Sequence, residues 1–179
     1  DFQLDSAGLN IDKDVLAALD PLYHLVLHAG RTAFADTVTS GLDRQRVGVI
    51  LAAIALPTDA SSAITREILG QAFEERLLQQ PGIGAELRTH PLNSQVTGLP
   101  AALLAQALQL GGGSYTLDAA CASSLYALKL ACDELREGRA DAMLAGGVSR
   151  PECLYTQMGF SQLRALSASG RCAPFDASC

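Results

Sequence analysis

The stretch Gly111-Gly112-Gly113-Ser114-Tyr115-Thr116-Leu117-Asp118-Ala119-Ala120-Cys121-Ala122-Ser123-Ser124-Leu125 decides how the chain is read. Tyr115, Thr116 and Leu117 favour an extended strand, whereas Leu125, Leu128, Cys132 and Leu135 recur at helical spacing. The switch of period falls close to Cys121. The spacing therefore predicts a glycine-bounded turn, a short strand over 114–118, and a helix whose first turn carries a thiol.

That placement has chemical consequences. The thiolate is the nucleophilic form of cysteine, and the free N–H groups and positive dipole end of a helix N-terminus favour it. The same N–H groups can stabilise an oxyanion on an attacked thioester carbonyl. Position alone leaves a second reading open, because a free cysteine is also a small hydrophobe that is often simply buried.

Working outward, the three glycines are followed by neither Gly-Lys-Ser/Thr nor a G-x-G-x-x-G pattern, so they read as a tight turn rather than a phosphate cradle. Val47-Gly48-Val49-Ile50-Leu51-Ala52-Ala53-Ile54 is a nearly continuous apolar run, as expected of a parallel strand covered on both faces, and Pro57 ends it. Ala140 to Val148 reads as another buried strand, with Gly138 capping the cysteine helix before it. Asp20-Pro21 opens a helix whose apolar stripe is Leu22, Leu25, Val26, Ala29 and Ala33, with His24, His28 and Arg31 opposite. A helix over Ser61–Gln80 is predicted to turn Ile64, Ile68, Phe73 and Leu77 inward. Pro81 to Pro91 reads as a loop, Ala101 to Leu110 as an apolar helix, and the stretch through Leu154, Met158 and Leu163 as a last helix before a loop-like tail from Ser167. Helix, strand, helix, helix, strand, helix, strand is the order of an α/β fold with helices on both faces of a mainly parallel sheet.

Bulk properties bound the function. The chain has 179 residues, 49% of them apolar, a net charge of −6 and a pI near 4.9, and its 13 Lys and Arg are scattered. No clustered basic face is available for nucleic acid or for a membrane surface. The longest apolar run, Val47 to Leu56, is far short of the roughly 18 residues that mark a membrane span. The acidic N-terminus is unlike a signal peptide, and five cysteines without C-x-x-C spacing fit a reducing, cytoplasmic setting better than disulfides or zinc. His24 and His28 have the i, i+4 spacing of metal ligands but no acidic third ligand nearby, so no metal site is expected.

Asp118-Ala119-Ala120-Cys121-Ala122-Ser123-Ser124-Leu125, then Ala145-Gly146-Gly147-Val148, then Leu166-Ser167-Ala168-Ser169-Gly170-Arg171-Cys172-Ala173-Pro174-Phe175-Asp176 form an ordered set of motifs that resembles the β-ketoacyl synthase (ketosynthase) family. The Asp-Ala-Ala-Cys run is most similar to polyunsaturated fatty acid and related iterative synthases. The resemblance implies a thiolase-like layered αβαβα fold, with residues 1–179 as a partial domain: the N-terminal half, without its first strand and without the C-terminal half. It implies that Cys121 takes an acyl group from the 4′-phosphopantetheine arm of an acyl carrier protein, the chain itself binding no cofactor. The acyl-enzyme then reacts with the carbanion equivalent released by malonyl decarboxylation. The family's two catalytic histidines and lysine belong to the other half; His24, His28 and His90 match none of them. Homodimerisation through the strand at 114–118 is also implied. Two other readings stay open: a non-catalytic chain-length-factor-like partner subunit, which generally lacks the cysteine, and a degradative thiolase.

Overall fold

The computed structural model describes residues 3–54, 58–79, 89–150 and 154–177. Local sequence signals set most element boundaries. Asp12 accepts hydrogen bonds from the Asp14 and Val15 N–H groups to start α1 (Lys13–Ala18), and Asp20 accepts from the Leu22 N–H to start α2 (Pro21–Ala35). Strand β1 (Val47–Ala53) follows. Thr58 and Ser61 then cap α3 (Asp59–Leu78) reciprocally, each side chain accepting from the other's backbone N–H. After these come α4 (Leu99–Leu108), β2 (Ser114–Leu117), α5 (Ser123–Arg136), β3 (Ala142–Val148) and α6 (Leu154–Gln162). The short helix α1 is absent from the sequence reading, although Asp12 is an ordinary capping residue. Pro57, read as the stop after β1, and the body of the 81–91 loop lie outside the described residues.

The sheet is parallel, in the order β2-β1-β3. Val49 to Ala52 pair with Ser114 to Leu117, and Val47 to Ala53 pair with Ala142 to Val148. Because side chains alternate across a strand, Val47 and Val49 enter one core with Leu22, Val26, Leu27, Leu104 and Leu108 of α2 and α4. Ile50 and Ala52 enter a second core with Ala127 and Ala131 of α5. Helices thus cover both faces of an α/β sheet, as the order of elements predicts.

The glycine turn is a packing device. The Gly112 N–H donates to the Val47 carbonyl, and a Cβ on Gly112 would lie 2.5 Å from that carbonyl carbon. A Cβ on Gly48 would lie 2.5 Å from the Gly113 oxygen, so the turn and the central strand are in direct backbone contact. At the start of β3, Arg46 forms an ion pair with Asp141 at 2.8 Å and also donates to the Gly138 carbonyl. The Arg46 hydrogen bond holds the Asp141 carboxyl below the usual carboxylate range.

Three helix faces differ from the sequence reading. In α2 the buried residues are Leu22, Tyr23, Val26, Leu27 and Phe34, while Ala29 and Ala33 are exposed and Leu25 is half-buried. The larger side chains, Tyr23 and Phe34 among them, take the contact with the core. In α3 only Ile64 is buried; Ile68, Phe73 and Leu77 are all more than half exposed. In α5 the buried face is Ser123, Ala127 and Ala131, and Leu125, Leu128, Cys132 and Leu135 point outward. Small residues let α5 lie close against β1 and β3, where leucines would hold it away.

A buried polar knot joins the N-terminal helices to the rest. The Asp20 N–H donates to Asn93 Oδ1 at 2.7 Å, Asn93 Nδ2 donates to the Ala18 carbonyl at 2.9 Å, and Arg150 pairs with Asp20 at 3.0 Å. Beside it, fully buried Tyr23 donates its hydroxyl to the Leu92 carbonyl at 3.1 Å. Burial, reinforced by the nearby Asp20 charge, pushes the Tyr23 pKa up to about 12. A raised folded-state pKa means that this stability is fully present below the unfolded value near 10 and is lost as pH rises toward 12. That rise corresponds to roughly 2–3 kcal/mol. Urea unfolding from pH 9 to 12 is therefore expected to show wild type losing about that much stability relative to Tyr23→Phe; parallel curves for the two proteins would refute the account.

Candidate active site

The site is built where β2 hands over to α5. Beyond Leu117 the chain makes one 3-10 turn, Ala120–Ala122, before the α-helix begins at Ser123. Cys121 therefore sits in the lead-in turn rather than in the first α-helical turn, and it is solvent-exposed. Three side-chain contacts hold this turn. Asp118 Oδ1 accepts from the Ala120 N–H at 2.9 Å, Ser123 Oγ accepts from the Ala119 N–H at 2.8 Å, and the same hydroxyl donates to the Ala120 carbonyl at 2.6 Å. Ala120 has φ +50°, the left-handed region that costs a non-glycine residue about 1 kcal/mol or more. The residue before the cysteine is thus strained, and the buried Ser123 hydroxyl bridges across it.

Cys121 opens onto a cleft of about 380 Å³. Its walls are Ala52 and Ile54 at the end of β1, Ser124 on α5, and Gly147, Val148 and Ser149 at the end of β3. The strand residues all lie at or just past the carboxyl ends of parallel strands, where ligands bind in open α/β sheets. A Cβ on Gly147 would make ordinary contact with Ser124 at 3.5 Å, so the cleft needs no glycine there for clearance.

The histidines stand elsewhere. His24 Nε2 lies 2.8 Å from the Leu16 carbonyl, His90 Nδ1 accepts from the Leu92 N–H, and His28 is exposed on α2. None lines the cysteine cleft. Among the described residues no three His, Cys, Asp or Glu side chains gather where a metal could be held, and no helix is long and apolar enough to cross a membrane. The structure places Ser123, Ser149 and the Ala120 backbone at the site, roles that sequence spacing does not reveal. An Asp three residues before the cysteine and a Ser two residues after it are the available signal for a side-chain-held turn.

The family described as β-ketoacyl synthase, N-terminal domain, matches residues 1–179. The chain belongs to the β-ketoacyl synthase family. Curated relatives include a subunit of the polyunsaturated fatty acid synthase of Thraustochytrium sp., 30% identical over 83% of this chain. A polyketide synthase of Streptomyces halstedii is 30% identical over 98% of it. The chain spans only 8% and 3% of those two proteins. Among solved structures, the PfaC ketosynthase–chain length factor is 38% identical, with a TM-score of 0.81 over 99% of this chain and 20% of that one. A β-ketoacyl synthase from Burkholderia phymatum shares the fold at 19% identity, with a TM-score of 0.70 over 99% of this chain and 42% of that one. The ketosynthase, thiolase-like fold is therefore the fold of this chain, which is a condensing-domain relative of polyketide and polyunsaturated fatty acid synthases.

Removing the hydroxyl that bridges the strained turn should be felt. Ser123→Ala leaves the Ala119 N–H and Ala120 carbonyl short of their partner and is expected to cost about 1–2 kcal/mol in denaturant unfolding. Ser124→Ala, at an exposed neighbour, should stay within about 0.5 kcal/mol of wild type. Equal effects from the two would contradict a bracing role for Ser123.

Proposed function

We propose that the chain is the nucleophile-bearing part of a ketosynthase-type condensing enzyme, an acyltransferase in which Cys121 accepts the acyl group. The observation that carries this reading is an exposed thiol in a side-chain-braced turn, at the head of α5 and at the carboxyl ends of the parallel strands. Cys121 sulfur attacks the carbonyl carbon of an acyl thioester, and the oxyanion forms beside the N–H groups of the lead-in turn and the start of α5, that of Cys121 among them. Collapse breaks the original carbon–sulfur bond, and the carrier thiol leaves with a proton. Loss of carbon dioxide from a malonyl thioester then supplies the carbanion equivalent that attacks the Cys121 acyl carbon, forming the new carbon–carbon bond and freeing the cysteine.

The thioester arm in this scheme is the 4′-phosphopantetheine of an acyl carrier protein, and the setting is cytoplasmic fatty acid or polyketide assembly. Residues 1–179 act as the N-terminal half of a domain, and the other half supplies the decarboxylation machinery. The outward leucines of α5 support this, since Leu125 is 70% exposed and Leu128 and Leu135 are exposed with it, on a helix whose other face is packed on the sheet. Among the described residues β2 pairs only with β1, leaving an edge that a second copy covers in a homodimer. A second reading, a chain-length-factor-like partner subunit, is compatible with the 38% identity to a protein whose name carries both functions. The retained Cys121 counts against it.

Two measurements on the full-length polypeptide carrying this sequence test the proposal. An acyl-carrier thioester should add one acyl mass to the Cys121 peptide, and Cys121→Ala should abolish the adduct and lower condensation by roughly 10⁴-fold or more; an unacylated cysteine would favour the partner-subunit reading. Sedimentation should give twice the monomer mass, and a monomer would refute the β2 interface.

A further inference from the structure

Asp20 is the most deeply buried carboxylate among the described residues, with 3% of the residue exposed. Its Oδ1 caps α2 through the Leu22 N–H, and its own N–H is held by Asn93, which is 1% exposed and tied in turn to the Ala18 carbonyl. Capping does not explain the charge. A neutral Ser, Thr or Asn would cap as well, and burying a carboxylate is costly unless a partner of opposite sign comes with it. That partner is Arg150, 130 residues away in sequence, at 3.0 Å. Arg150 directly follows Gly147, Val148 and Ser149, the β3 wall of the Cys121 cleft. The ion pair therefore ties that wall to the most constrained point of the N-terminal helices.

We infer that Asp20 and Arg150 are positioning residues: their part-buried ion pair pins the Val148–Ser149 wall of the cleft in the place where an incoming acyl thioester must lie against Cys121. This rests on the reading of Cys121 as the acyl acceptor. Neither residue touches the reacting atoms. Their loss should leave the thiol reactive toward a small reagent and impair its reaction with a long one.

The test compares two reagents on the full-length polypeptide. Iodoacetamide alkylation, read on the Cys121 peptide because Cys132 and Cys172 are also exposed, reports on the thiol without the wall, and an acyl-carrier thioester reports on the thiol and the wall together. Asp20→Asn keeps the cap and the Asn93 contact; Arg150→Met keeps much of the side-chain length. Each is expected to slow thioester acylation of Cys121 by about 10- to 100-fold, with iodoacetamide alkylation within about twofold of wild type. The double variant should be no slower than the worse single one, as two ends of one contact require. Equal losses with both reagents, additive losses, or unchanged acylation would overturn the inference. If Arg150→Met does not fold, the same rate ratio in Asp20→Asn decides, with Arg150→Lys, which keeps the cation, expected to acylate faster than Asp20→Asn; equal losses in the two would overturn the ion-pair account. Wild-type protein that iodoacetamide alkylates but no thioester acylates would instead sink the reading of Cys121 itself.

Discussion

The double-sided burial of β1 is the constraint on which the structure depends. Its backbone is hydrogen-bonded to a parallel strand on each side, and its side chains alternate between two separate cores. Val47, Val49 and Ile50 are completely buried, each contributing about 1.5–3 kcal/mol relative to exposure. Because both partners run parallel to it, all three strands end on the same side, and the loops carrying Cys121 and Ser149 are brought together there. The cleft is a consequence of the sheet's direction before it is a consequence of any one side chain.

The two faces of the sheet are covered differently, and the difference bears on chemistry. On one side, α2 and α4 contribute leucines, a tyrosine and a phenylalanine to a thick core. On the other, α5 contributes alanines and lies close, with Leu130 packed partly against the core and Leu125, Leu128 and Leu135 turned away from the sheet. A helix that is apolar on both sides belongs between layers. Cys121 stands at the head of this helix, where a second layer would enclose it and strengthen every electrostatic interaction around the sulfur.

The turn before α5 stores strain at the residue preceding Cys121. Ala120 occupies a backbone region that glycine would enter freely, and Asp118 and Ser123 hold it there through three hydrogen bonds. Strained strand-to-helix turns are a recurring way to present a nucleophile above a sheet. The conformation projects Cys121 out of the strand line and leaves it accessible, while Ser123 stays buried beneath it.

The sequence alone determined the α/β class, the buried central strand β1, the glycine turn and the position of a cysteine at the change of period, because those signals are local: β-branched runs, capping residues and spacing. It also marked β3 as a strand, but β3 is only half-buried and not the buried strand expected. It also carried the motifs that mark the ketosynthase family. Which stripe of each helix faces the core was decided only by the tertiary structure. Leu125 and Leu128 or Ala127 and Ala131 would each make an acceptable inner face for α5, and the closeness of the sheet selects the smaller pair. The left-handed Ala120 and the pairing of Asp20 with Arg150 were equally invisible, since each depends on atoms brought together by the fold and not on residues adjacent in the chain.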